Sequence, residues 1–293
     1  MERKHFLRLL AGTFGAMTLS SFKNLTDELQ SQEHVMPVFF IGHGSPMNAI
    51  ETNSFSETWR KLPSQIPLPR AVLCISAHWL TRGTSVTAMA HPKTIHDFGG
   101  FPQALFDVQY PAPGSPELAA ETQKLITSIK VEADHDWGLD HGTWSIIKQM
   151  YPDAKIPVFQ LSIDYYKPAA YHYALAKELA QLRRKGVLIV GSGNMVHNLG
   201  MVDFARINDD DYGYDWAHEM NTIFKEKITK GDHTALMNYE TLNKAARLAI
   251  PTPDHYYPLI YSLGLQEKRD HVSFFNDKAV AGSLTMTSVR IDR

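Results

Sequence analysis

Along the chain, short apolar runs rich in β-branched and aromatic residues alternate with longer stretches in which apolar residues recur at helical spacing. Runs of the first kind suit strands buried on both faces. The stretches between them suit helices that carry the chain back over the sheet, so the alternation predicts an α/β fold. Strands are expected at residues 38–41, 71–76, 157–162, 186–190 and 281–290. Ser115-Pro116 supplies an N-cap and a first-turn proline, and Leu118, Leu125 and Ile129 continue that helix to residue 129 with one buried face. A second helix is expected over residues 168–185. Its Arg183-Arg184-Lys185 puts positive charge at the negative end of the helix dipole, and Gly186 can take the left-handed conformation that stops it. Further helices are expected at residues 215–229 and 234–248. The pattern therefore predicts an α/β single domain with a central, mostly parallel sheet flanked by helices. Its active site is expected at the C-terminal ends of the strands, where loops carry polar groups while the strands stay buried.

No linker, charge block or repeat interrupts residues 37–293, which read as one catalytic domain. Residues 1–36 differ. Met1-Glu2-Arg3-Lys4-His5-Phe6-Leu7-Arg8 is basic, residues 9–22 are weakly apolar, and residues 24–36 are polar and patternless like a tether. Arg3-Lys4 followed by Phe6-Leu7 resembles a relaxed twin-arginine signal, so export to the periplasm is expected, with a cytoplasmic location as the alternative. The apolar stretch falls short of the ~18 residues that a transmembrane helix needs.

Composition narrows the partners. With 44% apolar and 20% charged residues the chain matches a soluble globular protein. Its 29 basic and 31 acidic residues leave a net charge of −2 and no basic stripe, which argues against nucleic acid. Oligomeric state is not legible. The only cysteine, Cys74, sits inside the apolar run Ala71-Val72-Leu73-Cys74-Ile75, where a thiol behaves as a small hydrophobe. An intrachain disulfide and a cysteine-ligated zinc site are both excluded.

Histidine is the residue that carries chemistry. There are 14, of which His5, His34, His91, His135, His172, His218, His233 and His271 read as solvated, while the context of His96 decides nothing. Four others sit at strand ends or in rigid loops: His43 in Gly42-His43-Gly44-Ser45-Pro46, His78 in Ser76-Ala77-His78-Trp79, His197 in Asn194-Met195-Val196-His197-Asn198, and His255 in Pro251-Thr252-Pro253-Asp254-His255. His141 stands at a helix entrance, with Asp140 before it as a capping residue or hydrogen-bond partner. Several neutral imidazoles without a thiolate suit zinc, iron or copper in a site that keeps positions open for substrate. No Gly-x-Gly-x-x-Gly opens the first helix and no Walker sequence occurs, and Ser192 lacks a nucleophile elbow.

These motifs, together with His96-Asp97-Phe98, Tyr110-Pro111-Ala112-Pro113-Gly114 and Asp140-His141-Gly142, resemble in content and order the class III extradiol ring-cleavage dioxygenases, closest to the 4,5-DOPA extradiol dioxygenase group. The resemblance extends over about residues 37–290. It implies His43, His78 and His255 as ligands of one divalent metal ion, with His197 as a fourth ligand or the acid/base group. His141 would contact substrate or oxygen. It implies a catechol and dioxygen as substrates, a ring-opened semialdehyde as product, and Fe(II) as the active ion, with Zn(II) able to fill the same site. Ile250 departs from the histidine that close relatives often carry before Pro-Thr-Pro. A zinc hydrolase on the same scaffold and a non-catalytic Memo-like binding protein are the alternatives.

Overall fold

Alternate residues of a strand point to opposite faces, so a run of continuous apolar residues can feed two cores at once. The computed structural model, which describes residues 35–293, shows this division directly. The strands are β1 (Val38–Gly42), β2 (Ala71–Ser76), β3 (Leu80–Thr81), β4 (Thr84–Thr87), β5 (Val131–Asp134), β6 (Val158–Gln160), β7 (Ile163–Asp164), β8 (Val187–Gly193), β9 (His271–Phe275), β10 (Ala279–Val280), β11 (Leu284–Thr285) and β12 (Ser288–Asp292). The helices are α1 (Ser54–Lys61), α2 (Gln103–Phe106), α3 (Pro116–Leu125), α4 (His141–Met150), α5 (Ala169–Glu178), α6 (Ala180–Arg184), α7 (Asp215–Thr229), α8 (His233–Met237), α9 (Ala246–Ala249) and α10 (Tyr257–Gly264). Val38, Phe40, Leu73, Ile75, Val187 and Ile189 point into one core with α5, α7 and α10. Phe39, Ile41, Val72, Cys74, Leu188 and Val190 point into the other with Trp59 of α1 and Trp144, Ile146 and Ile147 of α4.

The six-stranded sheet has the order β6-β2-β8-β1-β12-β9. β6, β2, β8 and β1 are parallel, and β12 and β9 close one edge antiparallel. Because β1, β2 and β8 are adjacent and parallel, the loops that follow them emerge on the same side of the sheet.

Several elements differ from expectation for local reasons. The expected strand 281–290 is interrupted, since Ala281 and Gly282 take positive φ of 52° and 81°, and β12 then runs on to Asp292. β9 lacks an apolar run because it is a half-exposed edge strand. Ile126 turns extended and ends α3 at Leu125. The expected helix 234–248 divides into α8, a 3-10 turn at Tyr239–Thr241 and α9, as Asn238 leaves helical geometry and the Asn243 side chain accepts from the backbone of Ala245.

Arg183 stands in the last turn of α6, where positive charge is expected, and there it is fully buried, paired with Asp270 at 2.6 Å and donating to the carbonyls of Met36 and Leu265. Gly186, with φ of 77°, ends that helical stretch as expected. One side-chain expectation is overturned, that of a solvated His172. This ring has no exposed surface; it shares a hydrogen bond with the Tyr261 hydroxyl at 3.1 Å and packs on Tyr257. His233 is half-buried and hydrogen-bonded to Tyr173, whereas His91, His135, His218 and His271 are exposed as expected. No helix among the described residues is long and apolar enough to cross a membrane. The basic leader lies outside the described residues.

Candidate metal centre

Each site histidine is delivered by a backbone that the sheet fixes. The backbone N–H of His43, at the end of β1, donates to the carbonyl of Gly193 at the end of β8. The N–H of Ala77, one residue before His78, donates to the carbonyl of Ser192. The carbonyl of His255 accepts from the backbone of Asn194. A Cβ on Gly193 would lie 2.2 Å from the His255 oxygen, so only glycine allows the β8 end and the His255 turn to meet. His141 opens α4, whose N-cap is Asp140.

The five expected site histidines come together. The ring centroids of His43, His78 and His255 form a nearly equilateral triangle, with separations of 5.0, 5.2 and 5.0 Å. Imidazoles bound through Nε2 to one ion at about 2.1 Å, at angles of roughly 100°, have centroids about 5 Å apart. His141 lies 3.9 Å from His78 and 5.7 Å from His43, a spacing that fits a shared ion less well. Ligand atoms of His43, His78 and His141 fall within 4.8 Å of one another, and so do those of His197, Asp254 and His255. Proximity thus groups His255 with His197 and Asp254, while ring spacing sets it with His43 and His78. The fifth ring is held differently: His197 stacks face to face on His255, with centroids 3.5 Å apart and planes 6° from parallel. His96 turns away, bonding the Val108 carbonyl and packing on Trp144.

Hydrogen bonds fix the tautomers. The Ser192 hydroxyl donates its one proton to the Gly142 carbonyl at 2.6 Å, so at 2.9 Å it accepts from His43 Nδ1. Asp254 binds Nδ1 of His255. Asp97 binds Nδ1 of His141 at 2.9 Å and faces Nδ1 of His78 at 3.3 Å. An ionised carboxylate only accepts, so Nδ1 of His141 and of His255 carries the proton, as Nδ1 of His43 does toward Ser192, and their Nε2 atoms are left with lone pairs; Asp97 beside Nδ1 of His78 favours the same tautomer there. The Nε2 atoms of His43 and His78 stand 3.2 Å apart. Two lone pairs that close repel each other unless a cation lies between them, and this donor set fits a divalent metal ion.

The electrostatics agree. Burial, followed by the neighbouring imidazoles, holds His43 and His78 well below the usual histidine range. Burial and then His255 hold His197 down to about 3. Protons therefore do not compete for these nitrogens near neutrality. Burial pushes the Asp97 carboxyl up, but hydrogen bonds from the His141 ring and backbone outweigh it and keep the group ionised. The same opposition at Asp254, resolved by His255, holds that carboxyl below its usual range.

Asp140 is not the partner of His141. Its fully buried carboxylate accepts from Ser76 and Gln160, both at 2.6 Å, and caps α4 through Thr143. Burial and then the nearby Asp97 raise its pKa. Ser192, Asp97 and Asp254 were not among the expected site residues. For Asp254 adjacency to His255 was the available signal, but the same adjacency at Asp140 and His141 signified a cap instead.

Comparison with protein families matches residues 32–288 to the family described as the catalytic LigB subunit of aromatic ring-opening dioxygenase. A protein of Escherichia coli (strain K12) named 4,5-DOPA dioxygenase extradiol is 47% identical over 260 residues, covering 87% of this chain and 94% of that protein. The protein of the same name from Beta vulgaris is 36% identical over 268 residues, covering 89% and 98%. A crystal structure of an uncharacterized protein from Escherichia coli K12 superposes with a TM-score of 0.76 at 42% identity, covering 87% of this chain and 99% of that one. With its parallel strand ends gathering a buried group of histidines, the chain belongs to the LigB family and is an aromatic ring-opening dioxygenase.

Proposed function

We propose that the protein cleaves the ring of a catechol such as DOPA next to the diol, using dioxygen and one Fe(II) ion held by His43, His78 and His255. The observation that carries this reading is the triangle of ring centroids at 5.0 to 5.2 Å with Nδ1 of each ring occupied. Bound there, Fe(II) would acidify the catechol hydroxyls and connect the diol electronically to oxygen, which Zn(II) in the same site cannot do for lack of redox chemistry.

The surrounding residues supply proton handling and orientation. An imidazole ligand directs its lone pair in its ring plane, and His197 lies parallel to His255 with its centroid 3.5 Å away. Two rings stacked in this way direct their lone pairs along parallel planes rather than toward one point. This favours His197 as acid/base over a fourth ligand: burial and His255 lower its basicity, the negative charge of a bound catecholate would raise it again, and the imidazole could then take a catechol proton and return it to the cleaving oxygen. His141, at the N-terminus of α4 with Nδ1 tied to Asp97, turns its other nitrogen to substrate or oxygen.

The test is anaerobic loading with Fe(II), addition of DOPA and other catechols, and then admission of oxygen. Stoichiometric oxygen uptake with a yellow ring-opened product is expected, and the zinc-loaded protein should be inert. Turnover with zinc and no oxygen would replace this reading with a hydrolase.

A further inference from the structure

One carboxylate serves two of the five histidines. Asp97 belongs to a surface loop, yet its side chain turns inward and keeps only 18% of its exposure. Its Oδ1 accepts the backbone N–H of His141 at 2.9 Å. Its Oδ2 accepts Nδ1 of His141 at 2.9 Å and faces Nδ1 of His78 at 3.3 Å. The loop is pinned on both sides of this contact. Residue 94 bridges to Leu139, the N–H of Ile95 donates to the Leu139 carbonyl at 2.7 Å, and the Trp144 indole donates to the Ile95 carbonyl at 2.8 Å. On the far side, Phe98 packs edge-on against His141 at 5.5 Å. Asp97 is therefore held rigidly between the loop after β2 and the first turn of α4.

We infer that Asp97 is a positioning residue that locks His78 and His141 in the Nδ1–H tautomer together, so that the orientation of a metal ligand and of the substrate-facing imidazole depend on one carboxylate. The inference rests on the reading of His78 as a ligand. Asparagine at this position is nearly isosteric but presents one acceptor and one donor. Its oxygen can meet both rings only by turning its NH2 onto the His141 backbone N–H, and with the oxygen on that N–H both Nδ1 atoms face a donor, so the rings must rotate or move their protons to Nε2. A proton on Nε2 of His78 blocks coordination, and one on Nε2 of His141 changes what that nitrogen offers substrate.

The experiment compares the wild-type full chain with Asp97→Asn, Asp97→Glu and His78→Ala, titrating Co(II) or Zn(II) against a chelator and measuring kcat and KM at saturating Fe(II). Asp97→Asn should bind metal 10- to 100-fold more weakly, the range for loss of an outer partner of a ligating histidine. Its kcat with metal saturated should fall at least ~10-fold while KM changes less than ~3-fold, because the substrate-facing group is disordered in the reacting complex rather than in binding. Asp97→Glu, which keeps two acceptors, should recover part of both losses. Unfolding of the metal-free proteins, measured in parallel, should stay close to wild type. Asp97→Asn with wild-type metal affinity and kcat would overturn the inference. Loss of metal as complete as in His78→Ala would overturn it too, by making Asp97 itself a ligand. Metal retained by His78→Ala would instead remove the reading on which the inference stands.

Discussion

His172 and the site histidines share a chemistry but not a use, and burial explains both. The Tyr261 hydroxyl bonds Nδ1 of His172 while Nε2 has no partner, and burial lowers the pKa of the ring to about 4. A neutral imidazole in the fold and an ordinary one in the unfolded chain give a definite sign. Above pH 6.5 neither is charged, and as pH falls from about 6.5 to about 4 only the unfolded state gains the proton, so stability falls and then levels. The gap amounts to about 3 kcal/mol. Urea unfolding of metal-free wild type should lose about that much more between pH 7 and 4 than His172→Leu, and parallel losses would dismiss the account. At the candidate metal centre, His197→Gln and His141→Ala should keep bound metal and lose kcat, the first by at least ~100-fold for a proton-transfer role and the second for loss of the group that faces substrate or oxygen. Metal lost from His197→Gln, measured by atomic absorption, would make that residue a ligand. The histidines were legible in the sequence because strand ends and proline- and glycine-rich loops mark them. Asp97, Ser192 and Asp254 were not, because a hydrogen-bond partner is defined by a distance in space, and Asp97 reaches His141 across 44 positions.

Elements whose reason is local were readable, and those whose reason is tertiary were not. β1, β2 and β8 were legible because strands buried on both faces are apolar throughout. β9 was hidden because an edge strand needs no such run, and α8 and α9 were merged because asparagines break a helix without announcing it as proline would. Arg183 shows what tertiary structure adds: the dipole argument accounts for its place at the helix end, but its guanidinium also joins Asp270, the Met36 carbonyl before β1 and the Leu265 carbonyl after α10. Removing one partner of such a buried pair leaves the other charge unpaired. Arg183→Ala should therefore cost about 3–5 kcal/mol in chemical denaturation. A cost below ~1 kcal/mol would show that water reaches Asp270. Where β8 ends, Gly193→Ala forces a Cβ onto the His255 carbonyl. It should weaken metal binding as well as stability, by about 1–3 kcal/mol for the overpacking alone, and metal affinity equal to wild type would mean the His255 turn is not held by that contact.

At the scale of the whole molecule, four adjacent parallel strands point their C-terminal loops one way, and the rings of His43, His78 and His255 meet at that end. Nε2 of His43 and Nε2 of His78 stand only 3.2 Å apart. An ion that binds them in the fold and not in the unfolded chain stabilises the entire domain by mass action, about 4 kcal/mol when free metal is 1,000-fold above its dissociation constant. For a domain of this size each kcal/mol moves the midpoint by about 2–4 °C, so metal loading should raise Tm by about 8–16 °C. The distribution of that shift among variants is the informative part. His78→Ala should lose it, His141→Ala should keep it, and Asp97→Asn should keep it only at higher metal concentration. A shift of equal size in wild type and His78→Ala would place the ion elsewhere on the molecule and leave the converging imidazoles without the role assigned to them.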